Sequence, residues 1–287
     1  MRVGVVFPQI EIGSDRGAVR AYAEAVDGLG YAHLLAYDHV VGADPAVHTR
    51  WRGPYSISDT FHEPMVLFGY LAAFTRLELV TGILIAPQRQ TVLIAKQAAE
   101  VDVLTGGRFR LGIGLGWNRL EYEALGQEFS ERSRRVVEQI ELLRALWTDE
   151  SVTFEGRSER LRGVGILPMP VQRPIPVWMG GMAAPALRRI GRIADGWFPR
   201  IPVEERGELE AAIGVVQGAA AEAGRPPVPF EGRITVTPGL GGFAAELAGW
   251  RELGAVSVTL DTMRQGHRSV EGHIGALTEA AAIALGA

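Results

Sequence analysis

Apolar positions along this chain alternate between two periods. Short, nearly continuous apolar runs fall at Val3–Phe7, His33–Tyr37, Leu79–Ala86, Phe109–Leu115, Ile175–Met179, Gly196–Pro199, Arg233–Thr237 and Val256–Leu260. Runs without strict polar alternation predict strands buried on both faces, as in parallel sheets. Between them the apolar residues recur at helical spacing. This predicts helices at Arg16–Leu29, Thr91–Leu104, Ser130–Trp147, Pro185–Ala194, Glu204–Ala223, Phe243–Leu253 and Ser269–Leu285. In the clearest of these, Ser130 offers an N-cap, and Val136, Val137, Ile140, Leu143, Leu146 and Trp147 share one face. Gly30 follows the first helix as a C′ residue.

Eight strands with helices between them predict a closed (β/α)8 TIM barrel spanning residues 1–287 as one domain. An open doubly wound sheet is the competing architecture, but it needs fewer strands and an early glycine fingerprint. Two insertions interrupt the alternation. Residues 38–64 form a long βα connection rich in Gly, Pro, His and aromatics, and residues 152–174 read as a hairpin closing on Pro168-Met169-Pro170. Loops of this length in a compact domain are usually functional.

Composition narrows the partners. The formal charge is −4, which gives no electrostatic case for nucleic acid or an anionic membrane. No apolar run reaches the ~18 residues that a transmembrane helix needs. Met1–Gln9 reads as a first strand rather than a signal segment. Cysteine is absent, excluding disulfides and thiolate metal sites and fitting a cytoplasmic location. Lys96 is the only lysine among 29 basic residues.

In a barrel the chemistry-bearing positions are the C-terminal strand ends. Asp38-His39 is the sharpest pair there: a histidine can exchange a proton near neutral pH, and an adjacent carboxylate can orient it. The alternative is that Asp38 caps the following turn and His39 is a plain loop residue. Gly180-Gly181 before a helix suits a phosphate, because main-chain N–H groups at a helix start attract anions; a simple strand-to-helix turn explains the pair as well. Arg188 and Arg189 on that helix either support a phosphate or face water. Glu121 and Glu123 either enter the pocket or form a solvated helix start. Trp51, Tyr55, Phe61, His48 and His62 sit in the long loop, where aromatics either cover a flat ligand or pack the loop. His39, His48 and His62 lack metal-ligand spacing, and no nucleophile elbow is present, so no metal and no nucleophile is assigned.

Several linked segments carry a resemblance. Thr81-Gly82-Ile83-Leu84-Ile85-Ala86-Pro87-Gln88-Arg89, Lys96-Gln97-Ala98-Ala99, Gly106-Gly107-Arg108-Phe109 and Leu111–Trp117 come first; Ile175–Gly181 and Ala194-Asp195-Gly196-Trp197 continue the order. Across essentially its whole length the chain resembles the bacterial luciferase-like family. The resemblance implies a TIM barrel with an inserted segment, and coenzyme F420 or FMN at the strand C-termini. It further implies a small-molecule substrate, a homodimer, and a non-prolyl cis peptide at Gly82–Ile83 or the next bond. Asp38-His39-Val40-Val41 and Gly116-Trp117-Asn118 are similar to the F420-dependent branch. By that resemblance His39 is the catalytic proton carrier. Asp38, Gly82, Ile83, Gly116, Trp117, Gly180 and Gly181 contact the cofactor, while Trp51, Trp117 and Glu121 shape the substrate side. F420-dependent sugar-phosphate dehydrogenases of the family carry a glutamate directly after the strand-end glycine. Here Trp117 stands there, which speaks against sugar-phosphate oxidation and leaves His39 no obvious acid partner on that strand; Lys96, on a helix, is a poor match for a substrate-phosphate lysine, so anionic substrates need arginine. The expected activity is hydride transfer between F420 and a small organic substrate. The alternatives are an FMN-dependent monooxygenase using reduced flavin and O2, and a non-catalytic flavin-binding protein.

Overall fold

The computed structural model describes residues 1–286. Eight parallel strands form the barrel: β1 (Arg2–Val6), β2 (His33–Ala36), β3 (Glu78–Thr81), β4 (Phe109–Ile113), β7 (Val177–Gly180), β8 (Gly196–Phe198), β9 (Glu231–Thr235) and β10 (Ser257–Asp261). The remaining two, β5 (Val152–Glu155) and β6 (Arg160–Val164), pair antiparallel as the expected inserted hairpin. The barrel order is β8-β7-β4-β3-β2-β1-β10-β9. Its last seam closes through a single parallel bridge, Trp197 to Phe230, and a 2.9 Å bond from the Trp197 N–H to the Pro229 carbonyl. This is the (β/α)8 architecture that the apolar runs predict.

Four local expectations are corrected. The third strand stops at Thr81, because the Gly82–Ile83 peptide is cis and turns the chain out of the ladder; Leu84 then makes only an isolated bridge to Ile113 before a 3-10 turn, Ala86–Gln88. Ser130 caps nothing. It sits in a 3-10 turn (Phe129–Glu131), where its N–H and hydroxyl both donate to Glu128, and the helix starts at Arg132 without a side-chain cap. Val137 is exposed, not part of that helix's buried face. Short helices Gln9–Ile12 and Pro64–Leu71 lie in stretches read as connections. In the second of these, Pro64 takes the first turn and the Glu63 carboxylate accepts from the Val66 N–H at 2.8 Å.

The barrel interior has two storeys. Strand periodicity sends every second side chain inward. At the lower end Glu231 accepts hydrogen bonds from Arg110 (2.9 Å), Ser257 (2.6 Å) and Thr259, and contacts His33 Nε2 at 3.2 Å. Arg110 also pairs with Glu78 (3.1 Å), which in turn binds Arg2 (2.9 Å). Gly4 on β1 leaves room for the His33 imidazole, with which any Cβ there would collide. Burial opposes ionisation of Glu231, but His33, Arg110 and Ser257 outweigh it and hold the carboxyl well below the usual carboxylate range. Above this polar layer Val6, Leu35, Val80, Trp178, Phe198 and Met263 pack as a separate apolar cluster. The larger core lies between sheet and helices.

Glu231→Ala leaves Arg110 with half its counter-charge in a buried site and should destabilise the fold by about 3–5 kcal/mol in urea unfolding. A loss below ~1 kcal/mol would mean that Glu78 and solvent replace it.

Candidate active site

The site forms where the chain leaves the C-terminal ends of β2, β3, β4 and β7. At the end of β2, Asp38 is buried and both of its oxygens are engaged: Oδ2 accepts from the Ile85 N–H at 2.9 Å and Oδ1 from Arg89 at 2.7 Å. Burial raises the Asp38 pKa above its ordinary value, and Arg89 and Ile85 offset only part of that rise. Arg89 also binds Glu63 at 2.9 Å. One guanidinium therefore ties together the start of the long loop at Asp38, its end at Glu63, and the turn after β3. Neither partner is legible in sequence, since they lie 51 and 26 residues from Arg89. Asp38 thus holds the backbone at Ile85 and the side chain of Arg89.

His39 Nδ1 lies 3.1 Å from Glu121 Oε1, which also accepts from the Val40 N–H at 2.9 Å. Glu121 Oε2 is 3.4 Å from Gln88 Nε2. Burial would raise the Glu121 pKa, but the contacts to His39, Val40 and Gln88 outweigh it, so the carboxyl sits below its ordinary value. The acid partner that β4 does not provide comes four residues beyond Trp117, from the helix Arg119–Ala124. Asn118 caps that helix by accepting from the Leu120 N–H at 3.1 Å. Glu121 is therefore buried behind His39 and does not line the cavity beside that ring, whereas Glu123 is exposed. Asn118-x-x-Glu121 has capping-box spacing, the one sequence signal that Glu121 turns back toward the strand end.

The other nitrogen of His39, Nε2, has no protein partner among the described residues. Around the ring stand Phe61, Tyr55 and Trp117, with centroids 4.6, 5.0 and 5.9 Å away. Trp51 packs on Trp117 at 5.5 Å, over Gly53, where a Cβ would strike both indoles. The long loop therefore folds its aromatics over His39, leaving a cavity of about 110 Å³ lined also by Val40, Gly42, Ser56 and Asp59. His62 is turned away and contacts the Gly13 carbonyl at 3.0 Å.

Opposite this cluster the cis Gly82–Ile83 bond, located where the resemblance implies it, swings Ile83 across the ends of β4 and β7. A Cβ at Gly114 would overlap Ile83, and one at Gly180 would come within 3.4 Å of it. Gly116 turns with φ 67° above Ile85, and Trp117 beyond it is exposed. Glycines on β4 and β7 and the Ile83 side chain thus make a flat apolar face bare of polar side chains. At the end of β7, Gly180 and Gly181 lead to the helix Ala184–Ile193, whose N-cap Ala183 offers no side-chain acceptor. Arg188 faces water and Arg189 is half-buried. A flat face, an uncapped helix start and a held histidine fit an isoalloxazine or deazaflavin ring with a phosphate tail.

A family model described as luciferase-like monooxygenase matches residues 1–246. The uncharacterized protein Rv0953c of Mycobacterium tuberculosis (strain ATCC 25618 / H37Rv) is 30% identical over 254 residues, covering 85% of this chain and 87% of that protein. The FMNH(2)-dependent dimethylsulfone monooxygenase of Pseudomonas fluorescens (strain Pf0-1) is 32% identical over 202 residues, 68% of this chain and 51% of that protein. Among solved structures, an F420-dependent secondary alcohol dehydrogenase in complex with an F420-acetone adduct superposes with a TM-score of 0.78 at 16% identity, covering 97% of both chains.

Two outcomes test this geometry. Arg89→Ala strands the buried Asp38 carboxylate and should cost about 3–5 kcal/mol, with faster hydrogen exchange concentrated in residues 39–62. Glu121 has a depressed folded pKa, so its contribution is present above the unfolded value of 4.5 and is lost as pH falls through the folded one. The stability gap between the wild type and Glu121→Gln, about 1.5–3 kcal/mol near neutral pH in urea titrations, should therefore narrow progressively in acid. A gap that does not change with pH would refute the ionised carboxylate.

Proposed function

The chain belongs to the luciferase-like monooxygenase family, and from that premise we propose that it is a coenzyme F420-dependent oxidoreductase acting on a small organic substrate. The observation that carries this reading is the His39–Glu121 pair at the end of β2, facing the aromatic cover. Asp38-His39-Val40-Val41, the segment similar to the F420-dependent branch, supplies that histidine. When bound, the deazaflavin supplies two-electron hydride chemistry. Reduction of a carbonyl, enone or imine by hydride also needs one proton, and the reverse reaction releases one. Glu121 holds Nδ1 as the donor nitrogen, which leaves Nε2 to give or take that proton at the substrate heteroatom. Ile83 and the glycines of β4 and β7 support one face of the ring, while Gly180, Gly181 and the following helix start hold its phosphate. Trp51, Trp117, Tyr55 and Phe61 close over the opposite side and exclude water.

The second reading is an FMN-dependent monooxygenase, favoured by the 32% identity to the dimethylsulfone enzyme. In it the same aromatic cover protects oxygen chemistry supplied by reduced FMN, and His39 handles protons in that reaction. A third reading, a binding protein without turnover, gives His39 no chemical task.

Separate titrations of the purified apo-protein with F420 and FMN, followed by fluorescence or calorimetry, test the choice. Saturable F420 binding with FMN much weaker is the expected result, and the reverse selects the monooxygenase. In the turnover assay of whichever cofactor binds, His39→Ala should lower kcat by about 10²–10⁴-fold while the cofactor Kd moves less than about threefold. Unchanged turnover in that variant would remove His39 from the chemistry.

A further inference from the structure

Inward-facing positions on β9 are Glu231, Arg233 and Thr235. Glu231 is fully paired below, and Thr235 is exposed at the barrel mouth. Arg233, between them, makes no hydrogen bond or ion pair among the described residues, and its Nε is shielded from solvent without a partner. The other interior arginines are treated differently: Arg110 binds Glu78 and Glu231, and Arg89 binds Asp38 and Glu63. Asp261 and Glu231, the carboxylates whose fields act on Arg233, are already engaged: Glu231 as above, and Asp261 by accepting from the Tyr37 hydroxyl (3.1 Å) through Oδ2 and from the Met263 N–H (2.9 Å) through Oδ1. Arg233 instead lies over the Tyr37 ring, 5.1 Å from its centre. Burial opposes its charge, and the fields of Tyr37, Asp261 and Glu231 outweigh that, so the guanidinium remains a cation with five unused donors.

Arg200 lies just beyond the end of the neighbouring strand, β8. The Trp197–Phe230 bridge sets β8 against β9 in parallel register, which brings the chain at Arg200 level with Arg233. Arg200 is exposed and its side chain is free of partners among the described residues. Arg264, over Tyr55 at 5.2 Å, is held by the Pro54 carbonyl at 2.7 Å. Burial pushes the Tyr55 hydroxyl pKa up, with Arg264 pulling against it, Asp261 adding to the rise, and Arg200 and Arg233 lowering it. That phenol packs on His39.

We propose that Arg233, with Arg200 at the rim, is the seat of an oxyanion on the substrate, so that the substrate is a small organic acid. An arginine fork matches a carboxylate through two parallel hydrogen bonds, and a partly desolvated fork without a protein counter-ion is completed by such a ligand. The word substrate rests on the oxidoreductase reading above; the anion seat does not, and it is tested without cofactor.

Calorimetric titration of the full chain at low ionic strength compares sodium benzoate, its neutral isostere benzamide, and inorganic phosphate. Benzoate should bind saturably and benzamide at least about tenfold more weakly. Arg233→Gln should lose benzoate binding while keeping the circular dichroism spectrum and the F420 or FMN affinity of the wild type. Phosphate bound in preference to benzoate, and lost in Arg233→Gln, keeps the seat and assigns its oxyanion to phosphate. Equal binding of benzoate and benzamide, anion binding that survives Arg233→Gln, or binding of neither anion overturns the proposal. Should Arg233→Gln not fold, the benzoate–benzamide comparison on the wild type decides. Cofactor binding without anion binding overturns this inference alone, whereas anion binding with neither cofactor bound supports the seat and removes the oxidoreductase reading.

Discussion

Glu231 and Arg110, 2.9 Å apart inside the barrel, reach every strand of it between them. Glu231 on β9 contacts His33 on β2 and Ser257 and Thr259 on β10. Arg110 on β4 binds Glu78 on β3, itself paired with Arg2 on β1, and lies over Trp178 on β7 and Phe198 on β8. A buried pair of this kind is held by geometry as much as by attraction, because desolvation consumes most of the Coulomb gain unless every lone pair is met. Meeting them brings β2, β3, β4, β9 and β10 to one register, and the rings of Trp178 and Phe198 under Arg110 extend that layer to β7 and β8, beside the seam that has a single bridge.

The layers above follow from that floor. Once the charges are gathered at the lower end, the next storey can be apolar, and the one after it can open. On one side of the opening the β4 and β7 strand ends carry glycine, which lets Ile83 lie flat across them. On the other side stand Tyr37, Asp261 and Arg233. The mouth therefore has an apolar wall suited to a ring and a cationic wall suited to an anion, with His39 at the edge between them.

Arg89 does for the loop what Arg110 does for the barrel. By binding Asp38 and Glu63 together it fixes both ends of a long insertion. The insertion can then bring Trp51, Tyr55 and Phe61 back onto His39 instead of extending into solvent. Loop closure is entropically unfavourable, and anchoring each end to one buried group lowers the number of conformations the aromatics must forgo. Orientation at the strand ends is shared in the same way: Asp38 holds the turn after β3, while Glu121 holds His39 and the Val40 backbone.

Much of this was legible along the chain. The apolar runs at Val3, Leu34, Val80, Leu111, Val177 and Val258 mark strands, because hydrophobic period is a local property of the chain. His39 was identified by its place at a strand end. What no local pattern contained is which charge meets which. Trp117 in place of an acid suggested that His39 stands alone, yet Glu121 fills that role from the next helix. Asp38, adjacent in sequence to His39, turns away to Arg89. Glu231 and Arg110 are separated by 121 residues and Asp38 and Arg89 by 51. The sequence by itself determined the alternation of strands and helices and the strand ends where chemistry belongs. Only the tertiary structure decided the pairing of the buried ions and left the Arg233 Nε shielded without a partner among the described residues. Coulombic and hydrogen-bond partners are chosen by distance in space, and that distance exists only after the barrel has closed.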